Sequence, residues 1–266
     1  RSSDLLRPDF DVLLAYACER ARVHVITNAT MLNDERAEAL VAQAPQHLGG
    51  RGLNAVGVSI EAPGERHDAI RQMEGAYERA MAGIGRLCAR RAAAGKSCPH
   101  LHVTTVIQAA NVDVLTHLPA ILSHAGVDVL NLVTETRMHE LPGLGDTHPG
   151  AYRPEQIPWP EIDRAQLAQA LETAIAEARR VGLELRLPRM PIEAILDYYD
   201  PEQPNGGVQL EHFECRNAWN TLHIGRQGNV YPCWLPNGRN VREHSIRDIW
   251  NNAAMRRFRR ACQCGL

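Results

Sequence analysis

The sequence predicts an α/β fold: a parallel sheet, open or closed into a barrel, followed by a small α+β module that carries paired cysteines. Three observations predict it. Over the first 187 residues, runs rich in β-branched residues alternate with helical stretches, and crossovers of that length are what parallel strands require. A Pro/Gly-rich connector extends from Pro188 through Gly207, a composition that interrupts regular structure. Beyond it, Cys215 and Cys233 flank a turn-rich segment, and Cys262 and Cys264 close the chain. The expected boundaries are therefore 1–187 for the sheet unit, 188–212 for a linker and 213–266 for the module.

In chain order, a helix is expected at about 7–20 and a strand at VHVIT (23–27), followed by a helix at 33–44. NAVGVSIEA (54–62) is the second strand and leads to a long amphipathic helix at 73–94. LHVTTVI (101–107) is the third, with a helix at 113–125, and VDVLNLV (127–133) is the fourth. The helix at 163–181 is the clearest: Asp163 and Gln166 form a capping-box pattern, Leu167, Leu171 and Ile175 recur every four residues, and Gly182 follows as a stop. LELRL (183–187) completes the set. No internal repeat or low-complexity tract interrupts the alternation.

Strand phase separates a packed face from an open one. In the second strand Val56, Val58 and Ile60 share one side, whereas Ala55, Gly57, Ser59 and Glu61 share the other, which is too small and polar to be packed by helices. In the third, Leu101, Val103, Thr105 and Ile107 point one way; His102, Thr104, Val106 and Gln108 point the other. Polar residues near the C-terminal ends of parallel strands mark a site at that rim. The competing reading, hydrogen-bonded core residues, is as good for any one of them but weaker for the set.

In the C-terminal module, TLHIGRQGNVYPC forms two short strands around a Gly-Arg-Gln-Gly turn, where Gly228 can adopt positive φ. That hairpin would bring Cys215 and Cys233 near each other. Ser245 is placed to cap the helix SIRDIW with Asp248 at its third position, and the chain then returns toward Cys262 and Cys264. Four thiolates so arranged suit a structural zinc or an iron–sulfur cluster, and spacing does not separate the two. Cys18, Cys88 and Cys98 are expected to be buried apolar residues or idle thiols.

Composition excludes several classes. With 266 residues, 44% hydrophobic, the chain can bury a full core, and its formal charge of −2 offers no bulk attraction to nucleic acid or an anionic membrane. The run Arg256, Arg257, Arg259 and Arg260 is expected to be a solvated helix face. No apolar run reaches membrane-spanning length and no signal peptide opens the chain. Seven cysteines without a secretory signal favour a reducing cytoplasm. His139, Glu140 and His148 stand in a loop without helical or strand register and are not taken as metal ligands.

ITNATML, GVSIEAPGERHDAIRQMEGAYERAMAGI and HVTTVIQAAN together resemble the central part of radical S-adenosylmethionine enzymes. The cysteine module resembles their SPASM or Twitch auxiliary-cluster domain. The resemblance covers nearly the whole chain. It implies a partial parallel (β/α) barrel followed by a SPASM/Twitch module, and S-adenosylmethionine and [4Fe-4S] as cofactors. It also implies a 5′-deoxyadenosyl radical that abstracts a substrate hydrogen. Thr27, Asn28, Ser59 and His102 carry over as candidate contacts to S-adenosylmethionine. The spacing of Cys215, Gly228 and Cys233 fits the auxiliary-cluster pattern, which turns the preference at Cys215, Cys233, Cys262 and Cys264 from zinc to iron–sulfur. Partners implied are a peptide, protein or cofactor-precursor substrate and an electron donor. The stretch Leu141–Pro160 would be a rim loop able to act as a lid, or equally a tolerated surface insertion.

The chain also departs from the family pattern. No Cys-x-x-x-Cys-x-x-Cys spacing occurs in it, and Arg1–Asp4 stand where a Gly-Gly-Glu-Pro motif is usual. The expectation is a fragment that lacks the radical-cluster part and is inactive by itself. Cys262 and Cys264 have one intervening residue where two are usual. The alternative functional class is a noncatalytic iron–sulfur or zinc binding module with a degenerate barrel; an ordinary barrel enzyme with a zinc knuckle is disfavoured by SIEAPGERHDAIR.

Overall fold

β-Branched and apolar runs form one five-stranded sheet made of β1 (Arg22–Thr27), β2 (Gly52–Ser59), β3 (His100–Ile107), β4 (Val129–Thr134) and β5 (Glu184–Arg186). Its order is β1-β2-β3-β4-β5, and all four pairings are parallel. The computed structural model describes Leu5 and residues 7–135, 162–188, 190–200, 217–225, 227–231 and 239–263. The chain divides into two units; described residues up to Asp200 belong to the first and those from Asn217 onward to the second. Among the described residues no helix is long and apolar enough to cross a membrane.

Because sequential strands are spatial neighbours and parallel, each connection must cross back over the sheet. The crossovers are α2 (Asp34–Ala42), the pair α3 (Glu65–Arg71) and α4 (Ala76–Ala93), a 3-10 segment (Val112–His117) running into α5 (Leu118–His124), and α6 (Arg164–Val181). Helix α1 (Phe10–Arg20) precedes β1. Strand alternation sends Val56, Val58, Leu101, Val103, Leu130 and Leu132 to one side. There they are at most 1% exposed and share a core with Leu40, Ile84, Leu87, Leu122, Leu167 and Leu171. Each such side chain contributes about 1.5–3 kcal/mol by leaving water. Helix starts follow local chemistry: Asn33 and Asp163 accept the amides of Arg36 and Gln166, and Gly182 ends α6 at φ +71°.

The helix expected over 113–125 is a 3-10 segment (Val112–His117) running into a short α5 (Leu118–His124), and two larger differences bear on the site. The helix expected over 73–94 begins at Ala76, preceded by the separate short helix α3. Gln72 (φ +52°) and Gly75 (φ +67°) break the chain between them, and the Asp68 carboxylate accepts the amides of Gly75 (2.6 Å) and Tyr77 (2.8 Å). Asp68 thus caps α4 from outside it. The second difference lies in the expected linker 188–212, whose described residues include α7 (Ile192–Tyr198). Ile195, Leu196 and Tyr199 are buried in the core of the first unit, and the Tyr199 hydroxyl donates to the carbonyl of Ile107 at 2.8 Å. The connector is therefore part of the sheet unit at least to Asp200. The expected rim loop over 141–160, with His139, Glu140 and His148, lies outside the described residues.

In the second unit, β6 (His223–Ile224) pairs antiparallel with β7 (Val230–Tyr231). Gly228 takes φ +90° and the Gly225 amide donates to Asn229 O at 2.8 Å. A methyl at Gly228 would lie 2.7 Å from Asn240 Oδ1. Asn240 fastens this turn by donating to Gln227 O and Asn229 Oδ1, both at 3.0 Å. Helices α8 (Asn217–Asn220), α9 (Ile246–Trp250) and α10 (Ala253–Gln263) follow from the same local rules. The Ser245 side chain accepts the Asp248 amide, and Val230, Ile249 and Met255 form a small core with Leu222 and Val241.

Candidate functional site

The face of the sheet opposite the helices carries the polar residues. Strand register lines up Gly57 with His102 and Val129, and Ser59 with Thr104, Asn131 and Arg186, so all lie on one side. His24 and Ile26 alternate onto the same side of β1, where Ile26 is 64% exposed. This inner face is bounded by small residues on β2 and imidazole, hydroxyl, amide and guanidinium groups on its neighbours.

At its centre, His102 Nε2 lies 2.7 Å from His24 Nε2, and Asn131 Nδ2 lies 2.9 Å from His102 Nδ1. If the amide donates to Nδ1, His102 must carry its proton on Nε2 and donate it to His24, leaving Nδ1–H on His24. The ring of His102 lies directly over Gly57. A Cβ there would fall 2.5 Å from His102 Cε1 and 3.2 Å from His24 Nε2. Only glycine admits this layer. Both imidazoles are held neutral: burial lowers the pKa of His24, while burial first, and then repulsion from His24, Arg186 and His100, lower that of His102 to about 4.

Above this layer, at the C-terminal ends of β2 and β3, a buried network shapes the rim. The Glu61 carboxylate, 5% exposed, pairs with Arg71 at 2.9 Å and accepts the Val106 amide at 2.9 Å. Burial raises its pKa, and the amide and guanidinium partly oppose that shift. His67 Nδ1 accepts the Glu61 amide at 3.0 Å, so this ring is neutral with its proton on Nε2. Burial first, then Arg71, depress its pKa to about 4. Asn111 closes the network with three bonds of 2.7–2.9 Å, to Glu61 O, Val106 O and the Gln108 amide.

Of the residues singled out in the sequence, Ser59 and His102 stand on the inner face. Ser59 ends β2, half-buried and in register with Thr104. Thr27 ends the adjacent β1 but alternates with Val23 and Val25, toward the helices; it is 7% exposed and its hydroxyl accepts the Ala29 amide at 3.1 Å. Asn28 Oδ1 accepts from the Thr30 amide (3.2 Å) and hydroxyl (3.0 Å). These two side chains hold the turn through Ala29, which has φ +56°. What the turn can offer a ligand is mainly backbone. Glu61, assigned by phase to the open face, is instead folded into the rim network. His24 and Asn131 were missed, although both break otherwise apolar strand runs in phase with the inner face.

Cys215, Cys233 and Cys264 lie outside the described residues, as does the side chain of Cys262, whose backbone is in α10. What is described fits a thiolate site in its supports. α8, which starts two residues after Cys215, packs on α10, and β7 ends two residues before Cys233. Four cysteines on such short connections are a donor set suited to an iron–sulfur cluster. Cys18, Cys88 and Cys98 are free thiols in the first unit; Cys18 and Cys98 are buried, and burial raises the pKa of all three.

Residues 215–265 match the SPASM family, described as an iron–sulfur cluster-binding domain. The chain is 27% identical over 256 residues, 94% of its length, to an AdoMet-dependent heme synthase of Methanosarcina barkeri, and spans 66% of that relative. Two crystal structures of Streptococcus suis SuiB share the fold. The one bound to precursor peptide SuiA has a TM-score of 0.62 at 14% identity, covering 96% of this chain and 53% of that one. The one bound to S-adenosylmethionine has a TM-score of 0.58 at 15% identity, covering 93% and 52%. The chain thus spans about two thirds of the matched relative and about half of the matched structures.

Proposed function

We propose that this chain, which is similar to an AdoMet-dependent heme synthase and carries a match to the SPASM family, forms the inner sheet face and auxiliary-cluster part of a radical S-adenosylmethionine enzyme. That enzyme would use S-adenosylmethionine and iron–sulfur chemistry to remove a hydrogen atom from its substrate. One observation carries the reading: an inner face on five parallel strands lined with neutral imidazoles, hydroxyls and an amide, in a chain whose other unit belongs to a cluster-binding family. Ser59, beside the backbone turn of Thr27 and Asn28, is the proposed rim contact for S-adenosylmethionine. His102, fixed by Asn131 and His24, is the contact below it. Cys215, Cys233, Cys262 and Cys264 would hold one [4Fe-4S] cluster, which supplies one-electron chemistry when bound. Neutral imidazoles suit a face that must hydrogen-bond a ligand without placing fixed charge beside it.

The substrate is a peptide, a protein or a cofactor precursor. SuiB is bound to a precursor peptide and the Methanosarcina relative is a heme synthase; each supports one of these classes. The test is anaerobic reconstitution of the 266-residue chain. It should take up about four irons and four sulfides, and Cys233→Ala should lose most of both. Having no Cys-x-x-x-Cys-x-x-Cys triplet, the chain alone should form no 5′-deoxyadenosine. Stoichiometric zinc without sulfide would overturn the cluster assignment and favour the noncatalytic zinc module.

A further inference from the structure

The second unit concentrates positive charge that the described residues around it do not neutralise. Residues 239–263 contain seven arginines and two carboxylates, a local excess of five charges in a chain whose net charge is −2. Four of these arginines come together from two segments: Arg239, ahead of the Asn240 bridge, and Arg256, Arg257 and Arg260 on α10. They line one concavity with Asn251 and Asn252. Among the described residues, none of the four makes an ion pair, although thirteen ion pairs form elsewhere in the first unit. Like charges crowded together repel, so four arginines gathered in one concavity are a preformed complement for an acidic surface.

We propose that this face docks an acidic protein of the one-electron carrier class. The inference rests on the cluster reading of the same unit. Cys262 lies on α10, only two residues beyond Arg260, or about 3 Å of helix rise. A carrier held by these arginines would therefore sit against the helix that bears a proposed cluster ligand. The carrier would give up one electron to the domain, its own centre oxidised by one unit and the domain's reduced by one, with no bond made or broken. Nucleic acid fits less well, since the basic surface is confined to this one small unit of an acidic chain.

The test uses plant-type ferredoxin, an acidic [2Fe-2S] carrier, titrated calorimetrically into the reconstituted full chain at about 20 mM and about 200 mM salt. Ferredoxin should bind at low salt and more weakly at high salt. The double variant Arg257→Glu/Arg260→Glu should weaken binding by about tenfold or more, and Arg239→Gln by less. Arg51→Glu, on the first unit, should change nothing. Arg256 is spared because its Nε donates to Asn251 O at 2.6 Å, and circular dichroism verifies that each variant is folded. A chain with full iron and sulfide that fails to bind ferredoxin, or a double variant that binds as well as the parent, overturns the proposal. So does tighter binding to a short DNA duplex. Iron and sulfide are measured on the same samples. Failure to load with arginine-dependent binding intact sinks the cluster reading and the carrier role, and leaves an acidic-protein site.

Discussion

Asn111 offers the most direct measure of how the rim is held. Its side chain is fully enclosed, and it satisfies two carbonyls and one amide from three different points of the chain, Glu61, Val106 and Gln108. Replacing it with alanine strands all three. A buried hydrogen bond contributes about 1 kcal/mol net, and a partner left unsatisfied costs about 1–3 kcal/mol. Three such losses, softened by any water that enters the space, give roughly 3–5 kcal/mol. That is roughly a third to a half of the stability of a domain near the middle of the usual range, about 10 kcal/mol. Urea denaturation of Asn111→Ala should show this loss at unchanged m-value. Because the anchored carbonyls belong to the segments that also carry the Glu61–Arg71 pair, hydrogen exchange at the Val106 amide should accelerate in the variant while α6 stays protected. Asn111→Asp should be no better, since it removes both donors and buries a charge. A loss under about 1 kcal/mol with Val106 protection unchanged would refute the claim that Asn111 organises the rim.

Three further outcomes are expected. Gly57→Ala should push the His102 ring off β2 and break its contact with His24, a net loss of about 1–2 kcal/mol after the gain in strand propensity, visible as shifted His24 and His102 ring signals in NMR spectra; unshifted signals would contradict the packing argument. His67, neutral in the fold with its pKa lowered from 6.5 to about 4, should make stability fall as pH drops through that window, by up to about 3 kcal/mol, and His67→Asn should remove most of that slope because its amide oxygen can still accept from Glu61; an unchanged slope counts against it. Gly228→Ala, strained at φ +90° and driven against Asn240, should destabilise the hairpin by about 1–2 kcal/mol and lower iron retention after reconstitution, and full retention would show that the hairpin does not support the cysteines.

Local periodicity and local chemistry were sufficient for the order of strands and helices. Alternation in 54–61 and 101–108 separates the packed face from the open one because side-chain direction in a strand depends only on phase. The Asp163, Gly182, Gly228 and Ser245 signals act within four residues of themselves, and all four appear where the sequence places them. α7 was hidden for the opposite reason. Nothing near Pro188 shows that Ile195, Leu196 and Tyr199 will find a core built by residues as far back as Leu5. Asp68 likewise looks like part of a motif, yet it caps a helix eight residues onward across a left-handed break. The inner-face chemistry was half legible. Phase puts Ser59 and His102 on the open side, but only strand register brings His24 from β1 and Asn131 from β4 to the two nitrogens of one imidazole. Register also explains Gly57, whose missing side chain is occupied by a ring from the next strand. The arginines of α10 read as a solvated stripe in one dimension; Arg239, arriving from a different segment, turns that stripe into a concave cluster. What a residue does alone follows from its type and its neighbours in sequence, whereas what it does with a partner depends on distances that folding alone sets.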